Sequence, residues 1–235
     1  LLLTMSFRWG LIGYGDLAEK RVAAALQNAG GSSLSAVWGR DPEKTQAFAE
    51  RHGIKKAAAS LDDLLGEKLD AVYVCTPPGS HAEYAIRAAE ARCHVLVEKP
   101  MAPSSQDCDR MIAAAESAGV RLGVAYYRRA FPKMQFIRKL SQEGALGEPV
   151  WANIAAHSWF APSGDDPKHW RVEPELSGGA GALADIGVHR LDLLDYWLGE
   201  STLTSAVFTN LVHSYAVEDG SSLVLKLSSG APVHA

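Results

Sequence analysis

The sequence predicts an α/β fold: a doubly wound parallel sheet in the first half, then a partial α+β domain with an antiparallel sheet. Three observations carry this. Short apolar runs alternate with longer helical patterns from residue 7 to about 126, the grammar of a sheet covered by helices on both faces. The first run opens into a glycine-rich turn. Beyond 126 the alternation stops, and amphipathic and apolar helices are followed by strand-like runs. The expected domains are 1–126 and 127–235.

Each element follows from its residues. FRWGLIG (7–13) reads as a strand, and DLAEKRVAAALQNA (16–29) as a helix with Leu17, Val22, Ala25 and Leu26 inward. SLSAVWG (33–39) is the second strand. DPEKTQAFAERHG (41–53) is a helix with Asp41 as cap, Pro42 at its first position and Gly53 at its end. SLDDLL (60–65) is a short capped helix, and DAVYVCTPP (70–78) a strand stopped by two prolines. A helix from Ser80, the strand HVLVEKP, a helix over 104–119 with a Ser104…Asp107 cap, and the strand VRLGVAYY (120–127) complete the first half. In the second, 131–147 reads as one amphipathic helix and 148–160 as a strand. A polar loop runs to about 178, an apolar helix covers 181–199, and TSAVFTNLVHSYAV and GSSLVLKLSSGAPVHA read as antiparallel strands.

Bulk properties set the class. The 235 residues are 47% hydrophobic and 21% charged, ordinary for a globular protein. A formal net charge of −4 leaves no basic footprint, so a nucleic-acid partner is not expected. Cys75, Cys93 and Cys108 cannot all pair and lack metal-ligand spacing, which predicts reduced thiols, a cytoplasmic location and no metal. LLLTMS is too short for a signal peptide or membrane span, no membrane association is expected, and Met5 is the expected natural start.

The chemistry gathers at strand ends. In Gly10-Leu-Ile-Gly13-Tyr-Gly15-Asp-Leu-Ala18, Gly13 permits a tight turn, Gly15 lets backbone approach a pyrophosphate, and the helix start at Asp16 and Leu17 faces the phosphate charge. Turn glycines alone explain such a pattern as well; at the first strand of a βαβ unit it points to a Rossmann dinucleotide site. At the end of the second strand stand Gly39 and Arg40, where an NAD site wants a carboxylate. Gly39 does not repel a 2′-phosphate and Arg40 offers a planar fork, which favours NADP with NAD as the alternative. The alternative is that Arg40 is only a solvated surface residue.

Thr76-Pro77-Pro78 and Glu98-Lys99-Pro100 close later strands, where ligands of such sheets bind. A charge pair there is by itself most often structural. Pro100 restricts the backbone, and a cis bond is the hypothesis. On the 181–199 helix, Asp185, His189, Asp192 and Tyr196 recur at i, i+4, i+7 and i+11, one polar stripe on a helix that reads as buried nearly all round. The stripe is either a satisfied buried His–Asp pair or a histidine that moves a proton, oriented by a carboxylate.

Three segments, GLIGYGDLA, VYVCTPPGSHAEYAIRAAEARCHVLVEKPMA and GGAGALADIGVHRLDLLDYWLG, resemble the glucose–fructose oxidoreductase / inositol dehydrogenase (Gfo/Idh/MocA) family from about Phe7 to the C-terminus. The resemblance implies NAD(P)-dependent hydride transfer on a sugar, polyol or related secondary alcohol. It matches Lys99 to the family's catalytic lysine, Asp185 and His189 to its Asp–His pair, and Thr76, Pro77 and His81 to the nicotinamide side, beside Glu98. HWRVEPELSGG resembles the sugar-reductase branch, making Trp170 and Arg171 substrate-binding candidates beside Asp185 and His189. RRAFP (128–132) is shifted against the family's spacing, which leaves Tyr127 and Arg128 as weaker ones. Specificity would come from the 159–178 loop. The family's second domain is longer, so a C-terminally shortened chain is expected, with a homo-oligomer for the whole protein. The alternative function is a nucleotide-binding sensor or regulatory protein without turnover.

Overall fold

The structure, a computed structural model, describes residues 6–179 and 181–235; Met5 lies outside them. The chain divides into two compact units, one ending at Ala125 and the other spanning Tyr126–Ala235.

The first unit holds a six-stranded sheet. Its strands are β1 (Phe7–Ile12), β2 (Ser32–Trp38), β3 (Lys56–Ala57), β4 (Ala71–Val74), β5 (His94–Val97) and β6 (Leu122–Val124), in the order β3-β2-β1-β4-β5-β6 with every pair parallel. This is the Rossmann order, with its switch point between β1 and β4. All four residues of β4 are buried, as expected of a strand covered on both faces. Caps fix the helices between strands. Asp41 accepts from Lys44 N at the start of α2 (Pro42–His52), with Pro42 in its first turn and Gly53 at φ 62° closing it. Ser60 accepts from Asp63 N ahead of α3 (Leu61–Leu65), and Ser104 from Asp107 N ahead of α5 (Ser105–Ala118). The short β3, invisible to periodicity, adds an edge through two pairings with β2.

One helical face differs from expectation. Leu17 is 43% exposed and Ala25 is also exposed, while Ala18, Val22, Ala23 and Leu26 are buried. The helix is π-wound over Ala18–Val22 before α1 (Ala23–Asn28), and i→i+5 winding shifts the phase of the buried stripe.

The second unit is α+β. Strands β8 (Ser201–Thr209), β9 (Gly220–Leu227) and β10 (Pro232–His234) are antiparallel, and β7 (Ala152–Asn153) joins β10 in parallel. The strand expected over 148–160 shrinks to these two residues because β10 offers ladder partners only to Ala152 and Asn153. The strand expected over 204–217 ends at Thr209, where Asp219 instead accepts from the backbone N–H groups of Leu211, Val212 and His213. Helix α6 (Pro132–Gln142) stops short of 147. The 181–199 segment is π-wound over Leu183–Gly187 and continues as α8 (Val188–Leu198). Glu218 accepts from Gly181 N at 2.6 Å and Leu183 N at 2.9 Å, placing a carboxylate at that helix start. The helix is not buried all round: His189, Asp192, Leu193 and Leu194 are buried. Its apolar side packs Leu183, Leu191, Leu194 and Leu198 against Leu223, Leu225, Leu227 and Val233 of the sheet.

Candidate active site

In the first unit the candidates come from the carboxyl ends of β1, β2, β4 and β5. Gly13 has φ 96°, and a Cβ there would fall 2.7 Å from the Cys75 carbonyl oxygen, so only glycine lets the turn pass the end of β4. A Cβ at Gly15 would meet nothing within 4 Å, which leaves space above the turn. Asp16 is engaged by Lys20 at 2.6 Å, and Leu17 is exposed beside it. The bare turn and the helix start fit a pyrophosphate.

At β4, Thr76 and Pro77 are half-buried. Ser80, a residue the sequence marks only as a helix start, holds them: its Oγ lies 2.8 Å from Thr76 Oγ1 and 3.0 Å from the Pro77 carbonyl. His81 is fully buried, with Nε2 2.7 Å from the Thr76 carbonyl and Nδ1 2.9 Å from the Pro100 carbonyl. It therefore lies beneath the strand ends and ties the β4 exit to the Glu98–Pro100 turn. Burial pulls its pKa down, against the carbonyls of Thr76, Pro100 and Met101 and the charge of Glu98.

The Glu98–Lys99–Pro100 turn combines a buried carboxylate, a half-buried lysine and a cis Lys99–Pro100 bond. Glu98 accepts from the Tyr73 hydroxyl at 2.6 Å and from Lys99 N at 3.2 Å. Tyr73 could have been found in the sequence as the one hydroxyl inside the apolar run of residues 71–75. Burial, then the Glu98 charge, raises the Tyr73 pKa, and the same causes push the Cys75 thiol up to about 12. Neither is a nucleophile at neutral pH.

In the second unit, Arg171 Nη1 donates to Asp185 Oδ2 at 2.8 Å, and its guanidinium carbon stands 5.5 Å from the Trp170 ring centre. Three predicted residues, Trp170, Arg171 and Asp185, are thus brought together. His189 is buried, with Tyr126 and Tyr127 edge-on to it at ring-centre distances of 6.3 and 5.6 Å. Arg128 stands 5.8 Å from the Tyr127 ring centre. The polar stripe divides: its last two members are engaged by arginines, Asp192 by Arg129 Nε at 2.9 Å and Tyr196 by Arg138 at 4.3 Å from the ring centre. Among the described residues, no group of three or more His, Cys, Asp or Glu is placed to hold a metal, and no helix is long and apolar enough to cross a membrane.

A Rossmann sheet with this glycine turn, ahead of an α+β unit, is the architecture of a dinucleotide-binding domain followed by a second domain. The chain belongs to the GFO/IDH/MocA family. The family's NAD-binding Rossmann-fold domain matches residues 7–126, and its C-terminal domain matches 134–235. The chain is 33% identical over 195 residues to Oxidoreductase P35 of Formosa agariphila, covering 82% of this chain and 60% of that protein. It is 33% identical over 226 residues to the 1,5-anhydro-D-fructose reductase of Ensifer adhaerens, covering 95% of this chain and 66% of that one. The WlbA dehydrogenase of Bordetella pertussis, crystallised with NADH and UDP-GlcNAcA, matches with a TM-score of 0.88 at 30% identity, over 97% of this chain and 66% of that chain. The chain thus spans 60–66% of the length of these relatives.

Proposed function

We propose that the protein is a cytoplasmic, homo-oligomeric oxidoreductase that transfers a hydride between NADP(H) and the secondary alcohol or ketone of a sugar, polyol or related small molecule. The observation that carries this is Lys99, set at the carboxyl end of β5 on a buried Glu98 that Tyr73 holds at 2.6 Å. The same carboxyl end of the sheet presents the glycine turn. The relatives with sugar-type substrates in their names support the substrate class. Three free cysteines fit a reducing compartment. The exposed apolar side chains of Leu203, Val207 and Phe208 on β8 fit contact with a second copy. The first unit then binds the dinucleotide, and the second serves substrate and assembly.

A bound nicotinamide supplies the hydride acceptor in oxidation and the donor in reduction. Gly13, Gly15, Asp16 and Leu17 form the cradle for the pyrophosphate, and Gly39 and Arg40 receive the 2′-phosphate. Thr76 and Pro77 flank the nicotinamide side, held from below by His81. Lys99 donates to the reacting oxygen and favours its developing negative charge. His189 takes the hydroxyl proton in oxidation and returns it in reduction, with Asp185 orienting the imidazole and stabilising its charged form. Tyr127, Trp170 and Arg171 hold the substrate.

The test is NADPH absorbance against a panel of ketoses, anhydro-sugars and dicarbonyls. Oxidation with at least one is expected. Lys99→Ala should keep NADPH binding and lose turnover by about 10²–10³-fold, the usual loss when one donor to a developing oxyanion is removed. Tight NADPH binding with no oxidation across the panel would make the protein a sensor. Unchanged turnover in Lys99→Ala would remove the lysine from the mechanism.

A further inference from the structure

Position 39 is glycine for a reason the sequence does not show. A Cβ built on Gly39 would stand 2.0 Å from Tyr14 Cε1 and 2.6 Å from Tyr14 Cδ1. The ring of Tyr14, the residue between the two turn glycines, already occupies the space a side chain at the end of β2 would need. It is held there from two sides. Its hydroxyl accepts from Asp41 N at 3.1 Å and donates to the Asp41 carbonyl at 3.3 Å, and its ring packs on Phe48 with centres 6.2 Å apart.

Asp41 is the one acid within two residues of Gly39, and it is occupied. Its carboxylate caps α2 by accepting from Lys44 N at 3.1 Å and pairs with Lys44 Nζ at 3.4 Å. Thr45 Oγ1 donates to the Asp41 carbonyl at 2.8 Å. Backbone and side chain are therefore both fixed in the cap. Arg40, exposed, is the charge left at the strand end.

We propose that Tyr14 is the residue that sets the cofactor preference. It fills the place of the ribose-binding carboxylate and locks Asp41 into the helix cap, so that the strand end presents a cation to a 2′-phosphate and no anion to a ribose diol. This rests on the NADP reading above. Tyr14 acts through Gly39 and Asp41, as a positioning residue.

The experiment measures NADPH and NADH dissociation constants by nucleotide fluorescence, and thermal midpoints, for wild type, Tyr14→Ala, Gly39→Asp, the double variant and Tyr14→Phe. Wild-type preference for NADPH tests the NADP reading by itself. In the Tyr14→Ala background, Gly39→Asp should move the NADPH/NADH ratio toward NADH by at least about tenfold, since a carboxylate facing a phosphate is strongly disfavoured. In the wild-type background the same aspartate has no room, so it should lower the thermal midpoint, and Tyr14→Ala should restore most of that loss. Tyr14→Phe keeps the ring and removes only the hydroxyl's contacts with the Asp41 backbone, so it should narrow the preference by no more than about 10-fold, the range of one hydrogen bond. If Gly39→Asp changes ratio and midpoint equally with or without Tyr14, the proposal is overturned. If wild type prefers NADH while the midpoints still show the coupling, the NADP reading falls and the steric role of Tyr14 stands.

Discussion

Tyr73 donates its hydroxyl to Glu98 at 2.6 Å, so β4 holds the residue that precedes Lys99. Both groups are buried, Tyr73 at 8% and Glu98 at 9% exposure. A buried carboxylate that loses one of its two donors keeps its desolvation cost with less compensation. Tyr73→Phe is expected to lower unfolding stability by about 1–3 kcal/mol. Glu98→Gln should cost less in the Tyr73→Phe background than in wild type, because the group left unpaired is then neutral. Urea midpoints for the four proteins check this, and additive losses would show that the pair is not coupled.

His81 predicts a pH dependence. Its pKa is lowered in the folded protein, chiefly by burial. The unfolded chain therefore takes up the proton first, near the ordinary value of about 6.5. The stability it contributes is fully present above that value and is lost as pH falls through the folded one. Unfolding free energy measured between about pH 7.5 and 5 should decline toward acid. In His81→Gln, whose amide can still meet one carbonyl, the decline should be shallower. Equal slopes in the two proteins would remove His81 from the profile.

What was legible in the sequence was local. Asp41-Pro42 and Gly53 bound α2, Ser104 caps α5, and the glycine turn marks β1, because caps and turns use chemistry within a few residues. What was not legible depends on partners far along the chain. The 148–160 segment alternates plausibly, yet its strand is only as long as β10 allows. Leu17 is the local exception: it reads as inward on an ideal helix, and the π-winding of the next five residues turns it out. Gly39 reads as an accommodation of a ligand, while its immediate neighbour is the Tyr14 ring, 25 residues earlier. The stripe on α8 could be read as one line of polar groups, but not that arginines from 129 and 138 engage its lower half.

That division of the stripe bears on stability. Asp192 is buried, and a single oxygen, Oδ1, takes both Nε at 2.9 Å and Nη2 at 2.5 Å of Arg129. The bonds raise the Arg129 pKa. Arg129 is 45% exposed, so water compensates it when the partner goes, and the loss falls below that of a fully buried pair. Asp192→Ala should destabilise by about 1–3 kcal/mol, whereas Arg129→Ala should cost more, because it strands the buried carboxylate. Chemical denaturation of the two variants gives the order, and the reverse order would refute the assignment of Asp192 as the dependent partner.

Arg171 makes two contacts through one planar group: a hydrogen bond to Asp185 at 2.8 Å and a guanidinium placed 5.5 Å from the Trp170 ring centre. The planar fork supports both, while an ammonium is a point charge. Arg171→Lys is expected to keep an ion pair with Asp185 and lose the ring contact, worth about 0.5–1 kcal/mol at a half-exposed site. Arg171→Ala loses both. If the proposed role of Asp185 beside His189 holds, Arg171→Ala should lower kcat/KM more than Arg171→Lys, because only the lysine keeps a cation beside the carboxylate that Arg171 meets at 2.8 Å. Steady-state kinetics of the two variants beside wild type check this order. Equal losses in both would show that the charge beside Asp185 is not what Arg171 contributes.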